Sequence, residues 1–220
     1  MPARSRANPL ALAVLVCLAE RPMHPYEVAT TLRQRRKHET VRLNYGSLYG
    51  VVESLERRGL IEVQETERSG RLPERTVYGI TKAGQVELRD WLTDLISTPV
   101  KDYPSFQAAL TFLPALPPED VVMLLNERAQ LIETELAQTR AMRELVEKHQ
   151  LPRLFWVEAE FGMVLREAEL GYVRKLQQDI ASGALDGTSW WHDMHAGGNA
   201  PGWTPPPPID EETPNGEGKE

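Results

Sequence analysis

Residues 44–66 read NYGSLYGVVESLERRGLIEVQET, and the spacing of the apolar positions changes partway through. Leu48, Val52 and Leu55 recur at i, i+4 and i+7, one face of a helix, while Ser47, Gly50, Ser54 and Arg57 share the other side. Asn44 can cap this helix, since its side chain accepts from the first unpaired N–H groups, and Gly59 can end it in a left-handed turn. From Ile61 the period falls to two: Ile61, Val63 and Glu65 alternate with Glu62, Gln64 and Thr66. A second run places Tyr78 and Ile80 on one face. The turn-forming SGRLP at 69–73 lies between them, so the two runs predict a hairpin with a basic tip.

Upstream, Asn8 followed by Pro9 is a cap and first-turn pair, and Ala11, Val14, Leu15 and Leu18 define a buried face for a helix over 9–20. Pro25 opens a second helix, with Val28 and Leu32 inward and Arg33, Arg35, Arg36 and Lys37 at its end. Cations suit a helix C-terminus and equally suit a polyanion, and both readings stand. Thr81 caps a fourth helix over 82–96 with Leu88, Trp91, Leu92 and Leu95 on its apolar side. Three short helices followed by a hairpin is the order of a winged helix-turn-helix, whose third helix enters the major groove.

Pro99 and Pro104 bracket a linker, and 105–113 is a short helix. Val122, Leu125, Ala129, Ile132 and Leu136 then repeat in a 3, 4 rhythm on a helix over 118–149. Leu154, Val157, Phe161, Val164, Ala168, Tyr172, Leu176 and Ile180 continue it on another, and Gln150-Leu151-Pro152 joins the two as an antiparallel hairpin. The expected fold is mainly α. It has a winged helix-turn-helix at 1–98, an antiparallel helical domain at 99–182 and a disordered Pro/Gly-rich acidic tail at 183–220. The tail nevertheless holds Trp190, Trp191 and Trp203, three of the five tryptophans, which a purely solvating segment does not need.

At 220 residues, 41% hydrophobic and 26% charged, collagen-like and wholly disordered classes are excluded. The net charge of −7 hides +5 over residues 1–84 and −12 over the rest, which admits a polyanion as a partner of the front half. The lone Cys17 forms no internal disulfide and no multi-cysteine zinc site, and the apolar stretch at 9–19 is too short to span a bilayer; both suit a cytoplasmic protein with no membrane partner. There is no nucleophile elbow, phosphate-cradling glycine loop or metal-spaced His/carboxylate set, so no catalytic residue, cofactor or metal is assigned. His192 and His195 have only Asp193 beside them, and Glu158, Glu160, Glu167 and Glu169 read as a solvated helix face.

Five blocks in fixed order, LALAVL (10–15), HPYEV (24–28), YGSLY (45–49), LERRGLI (55–61) and RTVYGITKAG (75–84), resemble the PadR family of bacterial transcriptional regulators over roughly the first 95 residues. Two positions depart from that pattern: Pro25 stands where the family usually has glycine, and Gly50 where proline commonly follows the Leu-Tyr pair. The resemblance implies a DNA-binding repressor in which Tyr26, Ser47 and Tyr49 approach DNA. An exposed helix N-terminus independently suits phosphates and base edges. Arg68, Arg71 and Arg75 on or beside the hairpin tip, and Arg42 ahead of the third helix, are further candidate DNA contacts, each also readable as a solvated charge.

One winged module reads few base pairs, so a homodimer on double-stranded operator DNA is the expected working unit. The helical hairpin carries more apolar surface than it can cover itself, notably Phe155, Trp156, Phe161 and Tyr172, and a second copy would hide the remainder. The resemblance also implies a small aromatic or amphipathic effector, with Trp91, Phe155, Trp156 and Phe161 as candidate lining residues that read equally as plain core. The rival reading is a ligand-binding or interaction protein that keeps the winged module without binding DNA.

Overall fold

The computed structural model describes residues 8–37, 40–67 and 75–197. They divide into two compact units, Met1–Asp102 and Tyr103–Glu220, so the expected boundary at 98 moves a few residues onward, past the first linker proline.

In the first unit α1 spans Pro9–Glu20, α2 Pro25–Gln34 and α3 Tyr45–Arg57, and each start follows from its cap. The Asn8 side chain accepts from the Leu10 N–H at 2.9 Å. His24 Nδ1 accepts from the Tyr26 N–H at 3.1 Å, and the His24 N–H donates to Glu27 at 2.9 Å. Pro25 therefore sits at the first helical position, where its missing N–H costs nothing. Asn44 Oδ1 accepts from the Ser47 N–H at 2.6 Å. Gly59, at φ 70°, ends α3 as expected.

Strands β1 (Ile61–Glu67) and β2 (Arg75–Ile80) pair antiparallel with Ile61 opposite Ile80. The expected alternation holds only at the root: Ile61 is buried, Val63 is already exposed, and a bulge between Val63 and Glu65 shifts the register. Met23, from the α1–α2 connector, bridges β2 through paired backbone bonds with Tyr78 at 3.0 and 3.1 Å, which ties the hairpin to the helices. α4 (Lys82–Ser97) is capped by Thr81, whose hydroxyl accepts from the Gly84 N–H and donates to the Gly59 carbonyl. Gly84 is required sterically, because a Cβ there would lie 2.0 Å from the Leu60 carbonyl oxygen. Leu15, Leu48, Leu55, Ile61, Val28 and Trp91 join one core that holds α1 to α4 and the hairpin root together.

The second unit contains α5 (Ser105–Thr111), α6 (Pro118–Lys148), α7 (Val157–Ala181) and α8 (Thr188–Ala196). The short connector at 149–156 returns the chain so that α6 and α7 pack antiparallel, joined by the ion pairs Arg128–Glu169, Glu133–Arg174, Glu135–Arg166 and Arg140–Glu167. Leu125, Ala129, Ile132 and Leu136 lie in the seam as expected, with Val121 more deeply buried than Val122.

On α7 the expected seam is corrected. Val173, Leu176 and Ile180 are buried, whereas Leu154, Val157, Phe161, Val164 and Tyr172 are exposed. Residues 161, 164, 165, 168 and 172 fall on the helix face nearly opposite Val173 and Leu170. The charged pairs flanking the seam fix that rotation.

The disordered tail is corrected as far as residue 197. α8 folds back on the unit, with Trp191 buried and its indole N–H donating to the Leu116 carbonyl at 2.8 Å. Burying the indole offsets part of the cost of ordering this short helix, and Leu185, Trp190 and Met194 pack against the same core. Trp203 and the rest of the tail lie outside the described residues.

Candidate nucleic-acid interface

The caps that start α2 and α3 also determine what those helix ends display. With Leu48, Val52 and Leu55 inward, the outer side of α3 begins with Tyr45, Gly46, Ser47, Tyr49 and Gly50, all exposed. Glycines at 46 and 50 leave this face thin, and a Cβ at Gly50 would meet nothing within 4 Å. Ser47 keeps its hydroxyl outward while its N–H is held by Asn44. Tyr26, at the start of α2, is 58% exposed and stacks on Tyr45, with ring centroids 6.2 Å apart and planes 9° from parallel. Tyr26 and Tyr49 also line a polar cleft of about 740 Å³ with Arg21, His24, Glu27 and Glu65, between the helix ends and the hairpin. Glu27 is already engaged there by the His24 N–H and by Arg21 at 3.5 Å. Burial and then Glu56 push the Tyr78 phenol up from its ordinary range.

The structure thus gathers Tyr26, Ser47 and Tyr49 on one surface. Arg42 precedes α3, exposed and with no hydrogen bond or ion pair among the described residues. Arg68 and Arg71 lie outside the described residues. Arg75 begins β2, and its side chain lies outside them too. Sequence reasoning missed Tyr45, although an aromatic directly after a capping asparagine and four residues ahead of Tyr49 marks the same exposed end.

Residues 14–90 match the model of the transcriptional regulator PadR-like family. That match falls within the winged unit. The fold of the chain is similar to that of Bacillus subtilis PadR in complex with operator DNA, at 17% identity and a TM-score of 0.62, covering 81% of this chain and 98% of that one. It is also similar to Bacillus subtilis PadR in complex with p-coumaric acid, at 14% identity and a TM-score of 0.62, covering 77% and 96%. The Vibrio cholerae virulence activator AphA is similar at 15% identity and a TM-score of 0.58, covering 79% and 98%. No curated protein matches the sequence.

The four candidate effector residues are spread over both units. Trp91 is taken by the first unit's own core, where Arg58 lies 5.3 Å from its ring and pairs with Glu87 at 2.7 Å. Phe155 and Phe161 are exposed, and Trp156 is half-buried with Arg143 over its ring at 5.3 Å. An open cleft of about 510 Å³ in the second unit includes none of them. Phe106, Leu110, Arg128, Arg166, Glu169 and Tyr172 line it, and the Arg128 guanidinium sits 3.8 Å from the centre of the Phe106 ring. Sequence reading assigned Tyr172 to the seam and Glu169 to a solvated face, and only the tertiary structure brings them together there. Partial burial pushes the Glu169 carboxyl up, but hydrogen bonds from Arg128 and Arg166 outweigh it and hold the group below the usual carboxylate range.

His192 pairs with Glu119 at 3.1 Å and His195 with the Pro114 carbonyl at 3.0 Å, so both histidines serve the packing of α8. Among the described residues no cluster of three or more His, Cys, Asp or Glu could hold a metal ion, and no helix is long and apolar enough to cross a membrane.

Proposed function

We propose that this chain is a homodimeric repressor of transcription that binds double-stranded operator DNA and releases it when a small aromatic or amphipathic molecule binds. The observation that carries this is the uncovered end of α3, where Ser47 and Tyr49 stand beside Tyr26 on a face kept thin by Gly46 and Gly50. A helix end of that shape fits a major groove, with hydroxyls and N–H groups directed at phosphates and base edges. The likeness of fold to Bacillus subtilis PadR with operator DNA supports the same use here.

The apolar stripe of Phe161, Val164, Leu165 and Tyr172 supports a second copy as its cover, because four large side chains left in water on one helix face are a poor end state for a lone chain. The cleft beside Phe106 and Tyr172 supports the effector arm: aromatic rings share its lining with two guanidiniums, both also held by Glu169, a combination that suits a planar organic anion. The protein complexed with p-coumaric acid supports that ligand class by likeness of fold.

The test is a gel-shift titration on DNA upstream of the chain's own gene, repeated at several salt concentrations. Phosphate contacts make affinity fall steeply with salt, with a slope of about 0.9 per neutralised phosphate. Ser47→Ala and Tyr49→Ala should each lower the preference for operator over random DNA by roughly tenfold, and Arg71→Ala should weaken both alike. Absence of any shift at low salt would favour a ligand-binding protein that keeps the winged module without DNA.

A further inference from the structure

The four cations at the end of α2 do not share one role. Arg35 turns back to α1 and grips the Glu20 carboxylate with both terminal nitrogens, at 2.5 and 2.8 Å. Its charge is matched within the unit and ties α1 to α2. Arg33 turns toward α3, where its guanidinium lies 4.6 Å from the centre of the Tyr45 ring and donates to the Tyr45 hydroxyl. No carboxylate among the described residues pairs with Arg33. Tyr45 is itself held by its stack on Tyr26 and by its place as the first residue of α3.

We propose that Arg33 is a DNA phosphate contact and that Tyr45 is the residue positioning it, an assignment that rests on the DNA-binding reading above. A guanidinium laid on an aromatic ring has already given up much of its rotational freedom, so a phosphate oxygen that meets it costs less ordering than it would on a free side chain. One N–H of the fork is used on the Tyr45 hydroxyl, and Arg33 is exposed beside the helix end that carries Ser47 and Tyr49. The shelf built by Tyr26 and Tyr45 thus holds a positive charge that no carboxylate among the described residues pairs, on the helix that in a helix-turn-helix pair crosses the duplex backbone.

Fluorescence anisotropy with a labelled random-sequence duplex, titrated at several salt concentrations, reads the number of phosphates engaged. Arg33→Gln should lower the slope of log affinity against log salt by about 0.9, one phosphate's worth. Arg33→Lys should restore the slope with affinity a few-fold below wild type, and Tyr45→Leu should keep the slope while also losing a few-fold. Arg35→Gln should leave the slope at the wild-type value. Wild-type binding with an unchanged slope in Arg33→Gln overturns this assignment alone. Wild-type protein that binds no duplex even at low salt overturns the DNA-binding reading and this assignment with it.

Discussion

The winged unit and the helical unit solve the problem of burial in opposite ways. Short helices in the first unit send their apolar faces to one centre, where Leu15, Leu48, Leu55 and Ile61 are almost wholly removed from water. The second unit has longer helices but a thinner shared core, built from Val121, Leu125, Ala129, Val173, Leu176, Ile180 and Trp191. Toward the far end of its hairpin, α6 and α7 are joined across Glu135–Arg166 and Arg140–Glu167, and the aromatic residues of α7 face outward. Exposed ion pairs contribute about 0–1 kcal/mol each, so they orient helices better than they stabilise them. The difference teaches that the first unit buries its apolar faces within one chain, while the second leaves an apolar stripe uncovered, the surface proposed for a second copy.

The sharpest way to break that contrast is to charge the outward stripe. Phe161→Glu with Tyr172→Glu removes two aromatic side chains per subunit from a shared interface. At about 1.5 kcal/mol or more for each of the four, the loss is roughly 6 kcal/mol, about ten-thousandfold in the dimer dissociation constant. Light scattering at micromolar concentration should show wild type as a dimer and the double variant as a monomer. A monomeric wild type would show the helical unit to be as self-sufficient as the winged one.

Next in size is the α8 anchor. Trp191→Ala should lower stability by about 3–5 kcal/mol in urea unfolding, the cost of emptying a buried aromatic site. A loss below about 1 kcal/mol would mean that α8 lies on the unit without belonging to its core. The smallest effect concerns Glu169, whose carboxyl is held below its ordinary range by Arg128 and Arg166 despite partial burial. A depressed carboxylate stabilises the fold above its unfolded pKa of about 4.3, and that contribution disappears as pH falls through the lower, folded value. Glu169→Gln should therefore cost about 1 kcal/mol at neutral pH, with solvent screening allowed for, and the gap from wild type should close below about pH 4. A gap that stays constant with pH would mean that shape, not charge, makes the contact.

Much of the first unit was legible because its signals are local. Asn8, Asn44, Thr81 and Gly59 mark helix ends through their own side chains or backbone freedom, and all four act where the sequence placed them. Ser47 and Tyr49 were legible as surface positions for the same reason: the inward set Leu48, Val52 and Leu55 leaves them outside. Arg33 was not separable from Arg35 in the sequence, since two cations at the end of one helix look alike until Glu20 claims one and Tyr45 the other. The candidate effector residues illustrate the same limit, because an apolar stripe does not say which surface will cover it.

The sequence by itself determined where the helices of the winged unit begin, the mainly α class, the winged order of elements and the existence of an apolar surplus on the last long helix. These follow from capping chemistry and periodicity, which act over a few residues. The tertiary structure alone decided which way α7 is turned, that Trp191 closes the helical unit and which of the two arginines on α2 Glu20 claims. Rotation about a helix axis and the choice of an ion-pair partner depend on groups far apart in the chain, and no local pattern encodes the competition between them.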